Sequence, residues 1–318
     1  MSSREGRGDR HPWDQGKVQS KSALEKDSEA HSVAVVIPVW RSPLSEDELL
    51  SVRSWWAHLS SYPTVLLAPQ GFDPQTLAAS ETPDEPSRNA LEALIRQPVE
   101  SFEPSWFESR QSYNHLLMTE GFYRRFEKAG HLLIFQLDCL AFSGDLGPFL
   151  DAETDYVGAP WFLDPQRAEA GLSRIGNGGL SLRRVDAALA VLTSQRYRQQ
   201  PVPWLGTRPG QLFGPISDRP SWRRRARILR EIRRGVPWYC RHYGQNEDHF
   251  WSDRAPLFDP DFRPAPLPIG LAFAFERFPR YCWHRNGSQL PFGCHAWTKF
   301  DRDFWTPWLP RALGERTP

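Results

Sequence analysis

Val33-Ala34-Val35-Val36-Ile37-Pro38-Val39 is an unbroken, largely β-branched apolar run that follows about thirty polar residues. A run without polar alternation is what a strand buried on both faces requires, and such strands belong to parallel sheets covered by helices. It predicts the first, central strand. Ser45 followed by Glu48 forms a capping box, and Leu49, Leu50, Val52, Trp55, Trp56 and Leu59 recur at helical spacing, so a helix follows. Thr64 to Ala68 reads as a second strand, Ser87 to Arg96 as a helix and Val99 to Phe102 as an extended piece. Ser109 to Lys128 reads as one long helix with Tyr113, Leu116, Leu117, Phe122 and Phe126 inward and Gly130 as its stop. His131 to Leu137 (HLLIFQL) is a second buried strand. Its end delivers Gln136, Asp138 and Cys139 to the carboxyl edge of the sheet, where open α/β sheets bind ligands. The alternation predicts an α/β fold: a Rossmann-type mixed, mostly parallel sheet flanked by helices.

The second half is less regular, with strand-like pieces at Tyr156 to Gly158 and Gly179 to Leu182 and a helix at Asp186 to Ser194. Residues 1–31 read as a disordered extension, 32–310 as the main domain, 196–238 as an insertion and 311–318 as a tail. With 318 residues, 40% of them hydrophobic and 24% charged, the chain has the composition of an ordinary soluble globular protein. Its 39 basic and 38 acidic residues leave a net charge of +1, so no global field favours nucleic acid, and no specific nucleic-acid partner is expected. No run approaches the roughly 18 apolar residues of a membrane span. The polar N-terminal stretch lacks a secretory apolar core, so Cys139, Cys240, Cys282 and Cys294 read as reduced thiols in a cytoplasmic protein. Within the insertion, Arg223, Arg227, Arg230 and Arg234 share one helical face opposite Trp222, Ala226 and Leu229. That basic helix suits peripheral contact with anionic lipid, although most charge runs are simply solvated faces.

Four stations carry chemistry. Asp138, directly after an apolar strand, suits a hard divalent cation such as Mn2+ or Mg2+; it also suits a turn or helix cap. In Gly176-Asn177-Gly178-Gly179-Leu180-Ser181-Leu182-Arg183 the glycines permit close backbone approach to a ligand. Asn177 and Ser181 offer hydrogen bonds there, and Arg183 can reach a phosphate or an acid; a tight turn entering a strand is the plainer reading. Asn246-Glu247-Asp248-His249-Phe250-Trp251 sets two acids at a helix start, where Asp248 can act as a general base and Glu247 can orient the attacking hydroxyl. Acids in a first turn also merely complement the helix dipole. In Pro291-Phe292-Gly293-Cys294-His295-Ala296-Trp297, a neutral His295 can complete a metal's coordination. A zinc site from Cys282, His284, Cys294 and His295 is discounted, because adjacent residues of a strand point to opposite sides. The 14 Trp serve as ligand platforms or core filling, and for any single one the core is the better reading.

From Val33 to Trp308 the sequence resembles a family of uncharacterised proteins, carried as a domain of unknown function, that looks like the GT-A glycosyltransferases. The resemblance rests on Ile37-Pro38-Val39, Gln136-Leu137-Asp138, Val157-Gly158-Ala159-Pro160-Trp161, Gly176 to Arg183, Asn246-Glu247-Asp248 with Phe250-Trp251, and Leu290 to Trp297, in that order. Gln136-x-Asp138 looks like an Asp-x-Asp metal motif that keeps only its second acid. The resemblance implies a GT-A-like fold, a nucleotide-sugar donor, a divalent metal and transfer to a hydroxyl of a glycan, a lipid-linked saccharide or another polysaccharide precursor. It further implies Pro38, Val39, Trp40 and Arg41 by the nucleobase, with Gln136 in the donor-binding set. Asp138 and His295 would lie on the metal, and Gly178, Gly179 and Ser181 on the donor sugar. If Asp248 faces the anomeric carbon from the side opposite the diphosphate, the transfer inverts configuration; if no acid reaches that position, retention is the expectation.

Two other readings stay open. A sugar nucleotidyltransferase would share the sheet and the metal, but it needs a Gly-rich phosphate loop where Pro38-Val39-Trp40-Arg41 stands. A catalytically silent carbohydrate-binding or scaffold protein would explain the missing first acid of the metal motif.

Overall fold

The computed structural model describes residues 32–196, 230 and 234–315. Six strands form the main sheet: β1 (Val33–Pro38), β2 (Thr64–Pro69), β3 (Val99–Phe102), β4 (His131–Phe135), β6 (Tyr156–Gly158) and β9 (Leu180–Arg184), in the order β3-β2-β1-β4-β9-β6. The first four strands of that order are mutually parallel; β9 runs antiparallel to both its neighbours. Every residue of β1 and of β4 is buried, which accounts for the apolar run of β1 and, after His131, of β4. Burying each Val, Leu or Ile side chain contributes about 1.5–3 kcal/mol relative to exposure.

The capping box forms as expected: Ser45 Oγ accepts from the Glu48 N–H, and Glu48 Oε2 accepts from the Ser45 N–H at 2.8 Å. The helix Glu46–Leu59 buries Leu49, Val52, Trp55 and Leu59 against the sheet. The predicted helix from Ser109 to Lys128 is instead two short ones, Arg110–Leu116 and Glu120–Arg124. Thr119 breaks it, because its hydroxyl accepts the Phe122 N–H at 3.2 Å and caps the second helix. The inward set still holds: Tyr113, Leu116, Leu117, Phe122 and Phe126 are all buried.

A smaller sheet of β5 (Cys139–Ala141), β10 (Ala274–Phe275) and β11 (Gly293–His295), ordered β10-β11-β5, adjoins the carboxyl edge of β4. Beneath it lies a second apolar cluster containing Cys294, Trp297 and Trp305. A hairpin of β7 (Pro160–Asp164) and β8 (Arg167–Ile175) follows β6 and was not anticipated. All four cysteines are buried, unpaired thiols.

The insertion and its basic helix fall outside the described residues, apart from Arg196, Arg230 and residues 234–238. Its far boundary comes earlier than expected, since the helix Val236–Arg241 buries Val236 and Cys240 in the main core. The assigned tail is also partly structured: Leu309–Ala312 is helical, and Arg53 holds Glu315 at 3.1 Å. Residues 1–31 lie outside the described residues. Among the described residues no helix is long and apolar enough to cross a membrane.

Candidate active site

From β1 the chain proceeds outward to β2 and then β3, whereas β4 lies on the other side of β1. The order therefore reverses between β1 and β4, and in open α/β sheets the crevice at the carboxyl ends of such a pair is the ligand site. Pro38 to Arg41 follow β1 and Gln136 to Asp138 follow β4. Three adjoining cavities of about 290, 350 and 230 Å³ open there, and Gln136 lines all of them. Trp40, 46% exposed, stands between the first two, its ring 5.9 Å from that of Tyr113.

The 230 Å³ cavity brings the stations together: Gln136, Asp138, Asn177, Gly178, Gly179, Glu247, Asp248 and His295 all line it. Sheet register explains half of this. His295 pairs with Cys139 across β11 and β5, so Asp138 adjoins the imidazole, with Nε2 3.3 Å from Oδ1. Cys294, on the opposite side of the strand, enters the core. Phe275 pairs with Cys294 across β10 and β11, which sets Glu276 beside His295, with Oε1 3.4 Å from Nδ1. Burial alone would lower the His295 pKa, but the charges of Asp138 and Glu276 outweigh it and raise the pKa to about 10. Burial likewise favours a raised pKa for Asp138, yet His295 and Lys299 hold that carboxyl below its ordinary value.

The acids Glu247 and Asp248 open a short helix, Glu247–His249, that continues into a π-helical turn, Phe250–Arg254. Such wide turns often mark functional sites. Asp248 Oδ2 accepts from the Asn177 N–H at 3.2 Å, and Oδ1 accepts from the His249 N–H at 2.8 Å. Burial first, and then the negative charge of Glu247, raise the Asp248 pKa to about 7 against the pull of the His249 N–H. Trp161, carried by β7, packs on His249 with ring centroids 4.0 Å apart and the ring planes tilted by 31°.

The glycines of the turn before β9 serve close packing within the protein. A Cβ at Gly178 would overlap the Glu247 carboxylate, one at Gly179 the His295 ring, and one at Gly176 the Trp161 ring. Asn177 holds a left-handed φ of 69°, which asparagine tolerates, and its Oδ1 accepts from the Gly179 N–H at 2.9 Å.

Two residues expected at the donor have their partners within the protein. Arg183 is buried and donates to Glu247 Oε1 at 2.7 Å and to the Tyr123 hydroxyl at 3.3 Å, so of phosphate and acid it has taken the acid. Ser181, fully buried, donates to Gly178 O and accepts from Arg183 Nε, and it is not among the residues lining the cavity. Arg41 lines the crevice but is tied to Glu48 at 2.7 Å. Sequence reasoning missed Glu276, Arg110, Asn114 and Lys299, which line the same cavity. None sits in a recognisable motif, and only the register of β10 on β11 points to Glu276.

Among solved structures, apo GlyE, a glycosyltransferase of Streptococcus pneumoniae TIGR4, is 13% identical, with 89% of this chain and 62% of that one covered and a TM-score of 0.40. The apo structure of WbbM, a bifunctional glycosyltransferase, is 9% identical over 83% of this chain and 45% of that one, with a TM-score of 0.36. The PaToxG glycosyltransferase is 13% identical over 69% of this chain and 93% of that one, with a TM-score of 0.25. The chain thus spans about three-fifths of the length of GlyE. No curated protein matches it. Residues 96–295, well over half of the chain, match the family described as protein of unknown function (DUF5672), and the chain belongs to that family.

Proposed function

We propose that the chain is a glycosyltransferase that takes a sugar from a nucleotide-sugar, bound with Mn2+ or Mg2+, and transfers it to a hydroxyl of a glycan or lipid-linked acceptor. One observation carries this reading: Asp138 and His295, the Gly178-Gly179 turn and Asp248, far apart in sequence, line one cavity at the reversal point of the sheet.

The residues present fit a divalent cation. Asp138 Oδ1 is buried, has no hydrogen-bond partner among the described residues and faces His295 Nε2 at 3.3 Å. Among the described residues no group of three or more His, Cys, Asp or Glu could hold a metal ion. A two-donor site leaves the other positions of a hard cation to diphosphate oxygens and water, the usual arrangement for a nucleotide-borne metal. When bound, the cation neutralises charge growing on the departing diphosphate.

The chain's own residues supply the rest. Arg110 and Lys299 bring fixed positive charge to the cavity, and Trp40 offers the nucleobase an exposed aromatic face. Asp248 takes the proton of the acceptor hydroxyl as its oxygen bonds to the anomeric carbon and the bond to the diphosphate breaks. A base with a pKa near 7 suits that step at neutral pH, and a single displacement inverts the configuration. Glu247, anchored by Arg183, orients the acceptor.

The test is incubation with a panel of nucleotide-sugars and Mn2+, following nucleoside diphosphate release. EDTA-sensitive release is expected. Pyrophosphate formed from a sugar 1-phosphate and a nucleoside triphosphate would instead identify a nucleotidyltransferase, and binding without release a carbohydrate-binding protein.

A further inference from the structure

We propose that Glu276 is a positioning residue for the cation site: with a cation bound, it accepts the Nδ1–H of His295 and so fixes the tautomer whose bare Nε2 faces Asp138. The inference rests on the cation reading above and adds to it a residue that lies in none of the motifs.

His295 stands between two carboxylates, one at each ring nitrogen: Asp138 Oδ1 is 3.3 Å from Nε2 and Glu276 Oε1 is 3.4 Å from Nδ1. The two acids differ in setting. The Asp138 side chain is 46% exposed, whereas that of Glu276 is 18% exposed. Neither contact has hydrogen-bond geometry, so His295 Nδ1 and Asp138 Oδ1 are both buried polar atoms without such a partner among the described residues. Buried polar atoms left without a partner are costly. A cation between Nε2 and Asp138 would satisfy the Asp138 oxygen and require Nε2 to be unprotonated. The ring proton must then sit on Nδ1, where Glu276 is the acceptor within reach.

The backbone fixes this arrangement. The parallel pairing of Phe275 with Cys294 carries Glu276 alongside His295, and the antiparallel pairing of His295 with Cys139 carries Asp138 to its other side. The Gly179 backbone packs closely on the ring, so that a Cβ there would overlap Nε2, Cδ2 and Cε1. A histidine ligand whose second nitrogen is held by a carboxylate is oriented and made more basic, and loss of such a partner typically lowers metal affinity about 10–100-fold.

Two measurements on the full chain test this. Mn2+ titration followed by EPR should show affinity about 10–100-fold weaker in Glu276→Leu, with a smaller loss in Glu276→Gln, which keeps an acceptor oxygen. Imidazole 15N NMR at saturating Mg2+ should show His295 of the wild type with a single proton, at Nδ1, and that preference should be lost in Glu276→Leu; a native near-UV CD spectrum confirms that the variants fold. Wild-type Mn2+ affinity in Glu276→Leu, or a proton on Nε2 alone in the wild type, would overturn the proposal. Turnover of nucleotide-sugars in EDTA by a wild type that binds no Mn2+ would overturn it while leaving the transferase reading intact. Mn2+ affinities that fall as expected without any nucleotide-sugar turnover would support Glu276 and remove the transferase.

Discussion

Arg183 donates to Glu247 Oε1 at 2.7 Å, with both side chains almost wholly buried. The pair links β9 to the helix that carries Asp248 and neutralises one of two adjacent acids. Removing the guanidinium leaves Glu247 charged and uncompensated in the interior, which typically costs about 3–5 kcal/mol. Arg183→Met should therefore lower the urea midpoint substantially, whereas the double variant with Glu247→Leu should recover much of the loss. Additive losses in the double-mutant cycle would show that the pair does not act as a unit.

Asp248 has two predicted signatures. Asp248→Asn should leave donor binding intact and cut turnover by about 10²-fold or more. The wild-type rate should rise with pH through about 7, because only the ionised carboxylate accepts a proton. Near-normal rates in the variant would remove Asp248 from the chemistry.

The same raised pKa bears on stability. The folded state holds the Asp248 proton at pH values where the unfolded chain, titrating near 3.8, has released it. Stability from this group is complete below about pH 4 and falls as pH rises to about 7, by an amount on the order of a few kcal/mol. Calorimetry should show the wild type losing Tm over that interval more steeply than Asp248→Asn. Parallel profiles would contradict the shift.

Gly179→Ala and Gly178→Ala separate the two halves of the site. A Cβ at position 179 meets the His295 ring, and one at 178 meets the Glu247 carboxylate. Overpacking of this kind costs about 1–3 kcal/mol. The first variant should weaken Mn2+-dependent donor affinity, and the second should lower turnover with less effect on that affinity. Equal effects of both on the two readouts would argue against separate roles.

Much of this was legible in the sequence where a single physical requirement dominated. A strand buried on both faces must be apolar throughout, and β1 and β4 announce themselves that way. The helix after Ser45 declared its start because its capping box is local. The stations were also readable as residue types, since Asp138, His295, Glu247 and Asp248 do line one cavity. What sequence hid depends on partners distant in the chain. The strand β8, Arg-Ala-Glu-Ala-Gly-Leu-Ser-Arg-Ile, has little β-branched character and is extended because it pairs with β7. By sequence Arg183 can reach a phosphate or an acid, and only the fold shows it buried against Glu247; Glu276 acquires meaning only from the register that sets it beside His295.

The most direct test of the central claim is a crystal structure with Mn2+ and a nucleoside diphosphate, with anomalous data collected at the manganese edge. The expected result is a single strong anomalous peak within coordination distance of both Asp138 and His295, with diphosphate oxygens completing its shell. Nucleotide bound in the crevice with no peak between those two residues, or a peak elsewhere, would contradict the account.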